Sequence, residues 1–133
     1  GLGSALERAA AYAAAGADMI FAEAVTELHQ YDSFKQAAGV PILANMTEFG
    51  KTELFDKEAL AAHGVDMVLY PLSAARAANQ AALNVYQQLR RDGHQRAVVD
   101  TMQTREALYD FLGYHHYEQT LDRLFTKDLS TKE

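Results

Sequence analysis

Gly39-Val40-Pro41-Ile42-Leu43-Ala44-Asn45-Met46-Thr47-Glu48 runs from a glycine through a short apolar stretch into a polar cluster. The pattern occurs twice more, in Gly16-Ala17-Asp18-Met19-Ile20-Phe21-Ala22-Glu23 and in Gly64-Val65-Asp66-Met67-Val68-Leu69-Tyr70-Pro71-Leu72-Ser73. The three glycines stand 23 and 25 residues apart. Each apolar run is too short for a helix and is apolar on both faces, the signature of a buried parallel strand. Polar side chains follow each run at its carboxyl end, where α/β barrels keep their chemistry.

The segments between these strands read as helices. Ser4 is positioned to cap a first helix reaching Ala15, with Glu7 three residues on as a capping box. Thr26 to Ala38 carries Leu28, Tyr31, Phe34 and Ala38 on one stripe and ends at Gly39. Asp56 caps a short helix to His63, and Leu72 to Asp92 forms the longest, with Leu72, Ala75, Ala78, Ala82, Val85, Tyr86 and Leu89 recurring at three and four. Ala97-Val98-Val99 is too brief to make a fourth strand, and Thr104 to Phe111 and Tyr114 to Phe125 read as two further helices. The expected organisation is therefore residues 1–93 as three βα units with a long final helix, 94–126 as a helical tail, and 127–133 as a frayed terminus.

A closed eight-stranded barrel takes about 250 residues, and three strands cannot close one. An open three-stranded parallel sheet leaves one face and both edges bare. The sequence also starts within a helix with no strand before it, so these 133 residues are expected to be part of a larger protein.

Composition narrows the function classes. Hydrophobic content of 49% and charged content of 23% are ordinary for a soluble globular chain. The net charge is −6 and the basic residues form no run, which disfavours nucleic acid and anionic membranes as partners. No apolar stretch approaches the length of a membrane span, and a cytoplasmic setting is the default expectation. The absence of cysteine removes disulfides, thiolate nucleophiles and thiolate metal sites from these residues. The five histidines show no regular metal spacing, and His115-His116 diverge by about 100° on a helix. Asp18 and Asp66, at strand starts, read as caps or ion-pair partners.

Glu23, Asn45, Thr47, Glu48, Ser73 and Arg76 all follow strand ends. Consecutive parallel strands lie side by side, so these residues should share one rim. Carboxylate, amide, hydroxyl and guanidinium groups together suit a small polyanionic ligand, and a guanidinium can grip a carboxylate with two hydrogen bonds. No glycine-rich phosphate loop follows any of the strands, which favours carboxylates over a phosphate ester. Each residue taken singly has a plainer reading as a polar loop end or helix cap. The residue types around Arg105 leave it as a solvated helix arginine.

The runs around Glu23, Pro41-Ile42-Leu43-Ala44-Asn45-Met46-Thr47-Glu48-Phe49-Gly50, Leu69-Tyr70-Pro71-Leu72-Ser73-Ala74 and Asp100-Thr101-Met102-Gln103-Thr104-Arg105 resemble the 2-methylisocitrate lyase family, within the isocitrate lyase and phosphoenolpyruvate mutase superfamily. The resemblance extends to about Phe125. It implies the C-terminal part, the last three βα units, of a TIM-type (β/α)8 barrel, followed by helices that swap between subunits of a tetramer. The implied activity of the whole protein is Mg²⁺-dependent cleavage of 2-methylisocitrate to pyruvate and succinate, in the methylcitrate cycle of propionate catabolism. Glu23, Asn45, Met46, Thr47, Arg76 and Arg105 match the family's substrate-binding positions. Ala22 departs from the family, which commonly has proline before the glutamate.

The family's glycine-rich pyruvate loop, its aspartate metal ligands and its Lys-Lys-Cys-Gly-His segment have no counterpart in these residues. No catalytic or metal-binding residue is therefore assigned to the 133, which are expected to be inactive alone. Two other readings stand beside this one: another lyase of the superfamily acting on isocitrate, oxaloacetate or phosphonopyruvate, and a non-catalytic fragment.

Overall fold

A computed structural model describes residues 1–130 of the chain. It divides into two compact units, one from Gly1 to Gln80 and one from Ala81 onward. The division falls inside a long helix, not after it at residue 93.

The first unit alternates helix and strand. Helix α1 (Leu2–Ala14) precedes β1 (Ile20–Ala22), α2 (Leu28–Ala38), β2 (Ile42–Asn45), α3 (Lys57–Ala62), β3 (Met67–Leu69) and the start of α4 (Ser73–Asp92). The strands form one parallel sheet in the order β1-β2-β3. Ile20, Phe21 and Ala22 pair with Ile42, Leu43 and Ala44, and Leu43, Ala44 and Asn45 pair with Met67, Val68 and Leu69. Sequence order is thus spatial order, as expected when each crossover is short.

One face of the sheet is the core. Ile20, Ala22, Ile42 and Ala44 are buried there with Ala9 of α1 and Tyr31 and Phe34 of α2. Leu28 and Ala38 complete the α2 stripe against the same cluster. Burying Tyr31 and Phe34 anchors α2 to the sheet, at roughly 1.5–3 kcal/mol for a side chain of Phe size. Gly39 ends α2 in the left-handed region with φ 68°, a conformation that a side chain disfavours.

The other face corrects the expectation that the strands are buried on both sides. Phe21, Leu43 and Met67 form one cross-sheet row in register, and Phe21 and Met67 are 49% and 51% exposed. The strands alternate, so an all-apolar strand places its second set of side chains on a face that this chain does not cover.

Asp66 locks the sheet's amino end. Its Oδ2 accepts from Lys35 Nζ at 2.8 Å and from the Ile42 backbone N–H at 2.9 Å. These two donors, the lysine first, hold the Asp66 carboxyl below the usual carboxylate range. This is the ion-pair role expected for it. Asp56 caps α3 by accepting from the Ala59 N–H at 2.7 Å, also as expected. Ser4 does not cap α1: the helix starts at Leu2, and the Ser4 hydroxyl accepts from Arg8 Nη1 one turn on. The alanine-rich run after Ser4 favours helix strongly enough for α1 to include Ser4 and the residues before it.

In the second unit, the remainder of α4 is followed by a 3₁₀ helix (Arg96–Thr101), which takes up the apolar Ala97-Val98-Val99 segment, then α5 (Arg105–Leu112) and α6 (Tyr114–Ser130). Thr104 caps α5 by accepting from the Ala107 N–H, and Gly113 turns the chain with φ 64°. Tyr109 stacks on Tyr114 across that turn, ring centroids 4.3 Å apart. Phe111, Leu112, Leu121, Leu124 and Phe125 are exposed, Phe111 to 84%. The part of the α4 stripe in this unit is exposed too, at Tyr86 and Leu89. Residues 131–133, the end of the stretch expected to fray, lie outside the described residues.

Candidate functional site

The polar residues that follow the three strands meet at the carboxyl end of the sheet. β1 and β2 run parallel in register, so Glu23 and Asn45 are carried to adjacent positions on the open face, two residues beyond Phe21 and Leu43. Asn45 Nδ2 donates to Glu23 Oε2 at 3.3 Å. The Asn45 Oδ1 atom is buried and has no hydrogen-bond partner, an acceptor left for something else to meet. Tyr31, buried in the core, has its phenol pushed up by burial and further by the Glu23 carboxylate.

Arg76 gathers the second group. It sits in the first turn of α4, its backbone N–H bonded to Leu72 O. Its Nη1 donates to Glu48 Oε2 at 2.6 Å, to Glu48 O at 3.0 Å and to Thr47 Oγ1 at 3.4 Å. The Ser73 hydroxyl donates to Glu48 Oε1. The Phe49 ring lies 5.3 Å from the guanidinium carbon, within cation–π range. The Ser73 hydroxyl, the Glu48 backbone N–H and Arg76, in that order, draw the Glu48 carboxyl below the usual carboxylate range. It is anionic at neutral pH.

Two loops are bent where the site needs them. Ala24 and Phe49 have φ of 55° and 64°, uncommon for residues with a side chain. Each directly follows an acidic residue of the rim, Glu23 or Glu48. Such strain concentrates at functional loops. Gly50 lets the second loop close: a Cβ there would lie 3.2 Å from Thr47 Cγ2.

Glu23, Asn45, Thr47 and Arg76, four of the six residues singled out from the sequence, therefore lie on one end of one sheet. Met46 differs. Its side chain is buried in the core and its N–H donates to Leu69 O at 2.8 Å, so any contact with a ligand falls to its main-chain carbonyl. Arg105 is the first residue of α5, in the second unit.

The phosphoenolpyruvate phosphomutase family profile matches residues 1–90, the three βα units and most of α4. The chain belongs to this family. Within the superfamily, a curated relative from Shewanella oneidensis named 2-methylisocitrate lyase is 66% identical over 128 residues, covering 96% of this chain and 44% of that protein. The solved structure of 2,3-dimethylmalate lyase, a phosphoenolpyruvate mutase/isocitrate lyase superfamily member, superposes with a TM-score of 0.76 at 26% identity, covering 92% of this chain and 42% of its own. A phosphonopyruvate hydrolase structure in complex with oxalate and Mg²⁺ gives 0.71 at 25% identity, over 92% of this chain and 44% of that one. The chain spans less than half the length of the curated relatives it matches.

The family resemblance implies Mg²⁺, and the donor set of these residues does not fit it. Glu48 is already engaged by a hydroxyl and a guanidinium, which leaves Glu23 as the carboxylate beside Asn45. Among the described residues no three histidine, aspartate or glutamate side chains cluster as a metal site. Mg²⁺ is held through one or two carboxylates, with waters filling the rest of its octahedron, and the Glu23 carboxylate already accepts from Asn45 Nδ2, so these residues offer it no uncommitted carboxylate.

Sequence reasoning placed Glu48 and Ser73 at the rim without seeing that Glu48 binds both Ser73 and Arg76. It missed Phe49 as the ring beneath the guanidinium. The one signal was Gly50, which marks a tight turn without naming its partner.

Proposed function

We propose that this chain carries the substrate-carboxylate part of a carbon–carbon lyase that cleaves 2-methylisocitrate to pyruvate and succinate. The observation that carries the reading is the convergence of Glu23, Asn45, Thr47 and Arg76 at the carboxyl end of one parallel sheet. The 66% identity to a protein named 2-methylisocitrate lyase supports this substrate over the others of the superfamily.

Each residue has a task set by its chemistry. Arg76 grips a carboxylate of the substrate and offsets charge that grows on it as the bond breaks. Thr47 and Asn45 orient it through hydroxyl and amide groups, the unpartnered Asn45 Oδ1 being suited to a substrate hydroxyl. Glu23 accepts from Asn45 Nδ2 and so sets which way that amide points. Arg105 supplies a second cation to the carboxylates of an active site, its own or a neighbour's. The acid that protonates the carbanion, the catalytic cysteine and the Mg²⁺ ligands belong, in this reading, to residues outside the 133.

The architecture follows from the same reading. The open-face row of Phe21, Leu43 and Met67 becomes the interior of a closed (β/α)8 barrel once further strands complete the sheet. The exposed apolar residues of α5 and α6 cover a second copy of the protein, by helix exchange within a tetramer. No helix among the described residues is long and apolar enough to cross a membrane, which is compatible with the cytoplasmic setting expected of a metabolic lyase.

The test is product analysis of the full-length protein with 2-methylisocitrate, isocitrate, oxaloacetate and phosphonopyruvate offered in turn. Pyruvate and succinate in equal amounts from the first, with at least about tenfold lower kcat/KM for the rest, is the expected result. Preference for another substrate moves the assignment to a sister lyase. No turnover of any of them defeats the enzymatic reading.

A further inference from the structure

Arg76 is held by more than its function as a carboxylate ligand requires. Glu48 meets it twice, through side-chain Oε2 and through main-chain O, and both contacts fall on Nη1. Two contacts from one residue to one nitrogen demand a particular backbone. That backbone is the left-handed turn at Phe49, φ 64°, closed by Gly50 against Thr47. Glu48 is in turn fixed from its other oxygen by the Ser73 hydroxyl. Ser73 and Arg76 are three residues apart on α4, one turn of one helix, so the carboxylate bridges two points of a rigid element. The Phe49 ring limits the guanidinium from a further side.

A long, flexible arginine that must meet a ligand in one orientation gains from losing its rotamer freedom beforehand, since ordering such a side chain costs affinity. A carboxylate on one nitrogen of the planar fork fixes the plane and leaves the opposite edge for a second carboxylate. We propose that Glu48 is the positioning residue of the site: it holds the Arg76 guanidinium by Nη1, with Ser73 as its own anchor, so that the Nη2–Nε edge is presented to the substrate carboxylate. This rests on the reading of Arg76 as a carboxylate ligand. Glu48 acts through Arg76 and does not itself touch the substrate. Its depressed pKa keeps it anionic throughout the neutral range, as a fixed counter-charge must be.

A double-mutant cycle on the full-length protein tests this. Glu48→Gln keeps the size and an acceptor for Ser73 while removing the charge; Glu48→Ala removes both. Each is made in the native background and in Arg76→Ala, with kcat and KM measured for 2-methylisocitrate and the dissociation constant of succinate measured by calorimetry. The expected result is a loss of about tenfold or more in kcat/KM and in succinate affinity for Glu48→Ala, a smaller loss for Glu48→Gln, and less than about threefold for either in the Arg76→Ala background, because a residue acting through another has nothing left to position. Equal losses in both backgrounds, or no loss in the native one, overturn the proposal. If the protein turns over no 2-methylisocitrate, the proposed reaction fails, and the succinate cycle still decides the role of Glu48. If Glu48→Ala does not fold, Glu48→Gln carries the same comparison.

Discussion

Asn45 Nδ2 reaches Glu23 Oε2 at 3.3 Å across the β1–β2 pair, so an amide and a carboxylate 22 residues apart in sequence form one polar unit at the sheet's carboxyl end. The relationship has a testable chemical consequence. Asn45→Asp replaces a donor by a second carboxylate facing Glu23. Two carboxylates so close cannot both ionise freely, and one pKa rises. The repulsion is weak below that raised pKa and develops as pH increases through it. The kcat/KM of the Asn45→Asp protein should therefore fall, relative to the native protein, from acid towards alkaline pH. Asn45→Ala should show a loss that does not vary with pH in this way. A pH–rate profile of the two variants checks the difference.

Arg76→Ala should raise KM strongly and lower kcat as well. The guanidinium side chain is 38% exposed, so solvent screens part of its interaction. The low end of the cost of breaking a paired charge, about 2 kcal/mol, is appropriate, or roughly 30-fold in kcat/KM. Steady-state kinetics of the full-length variant measures it. Unchanged kinetics would make Arg76 a partner of Glu48 and nothing more.

Asp66 gives a pH-dependent stability with a definite sign. Lys35 and the Ile42 N–H depress its folded pKa, so the folded state binds its proton less readily than the unfolded chain. The stabilisation is complete above the unfolded value of about 3.9 and is lost as pH falls through the lower folded value. Asp66→Asn should thus be less stable than the native protein at neutral pH, and the difference should shrink below about pH 4. Thermal melts over a pH series test this. A constant difference at every pH would mean that the carboxylate charge contributes nothing.

The exposed Phe111, Leu121, Leu124 and Phe125 predict association. Full-length protein should run as a homo-oligomer in light scattering, and Phe111→Asp should shift it to a smaller species, because obligate interfaces are built on apolar contacts. A monomeric native protein would remove the helix-exchange reading.

Much of the fold is legible in the sequence because its signals are local. Gly39 closes α2, Asp56 opens α3, Thr104 opens α5, and Tyr31 and Phe34 mark the buried stripe of α2. The parallel order β1-β2-β3 follows from short crossovers. What the sequence does not disclose is which apolar side chains this chain itself covers. Phe21, Met67 and the α4 stripe have the periodicity of core residues, yet they are exposed, since periodicity records a partner without saying where that partner is. The helix starts also differ from the cap signals: α1 begins at Leu2, ahead of Ser4, and α2 begins at Leu28, with Thr26 outside it and its N–H donating to Gln30 Oε1. At the site, the strand ends locate Glu23, Asn45, Thr47 and Arg76. The sequence is silent on the left-handed Ala24 and Phe49, which carry none of the glycine that usually announces such a turn.

The most direct measurement is a crystal structure of the full-length protein with succinate bound. A succinate carboxylate within about 3 Å of an Arg76 nitrogen, with the second carboxylate or its methylene chain alongside Asn45 and Thr47 and Glu48 still on Nη1, is the predicted result. Succinate bound elsewhere, with the Glu23–Asn45–Thr47–Arg76 rim empty, would contradict the account.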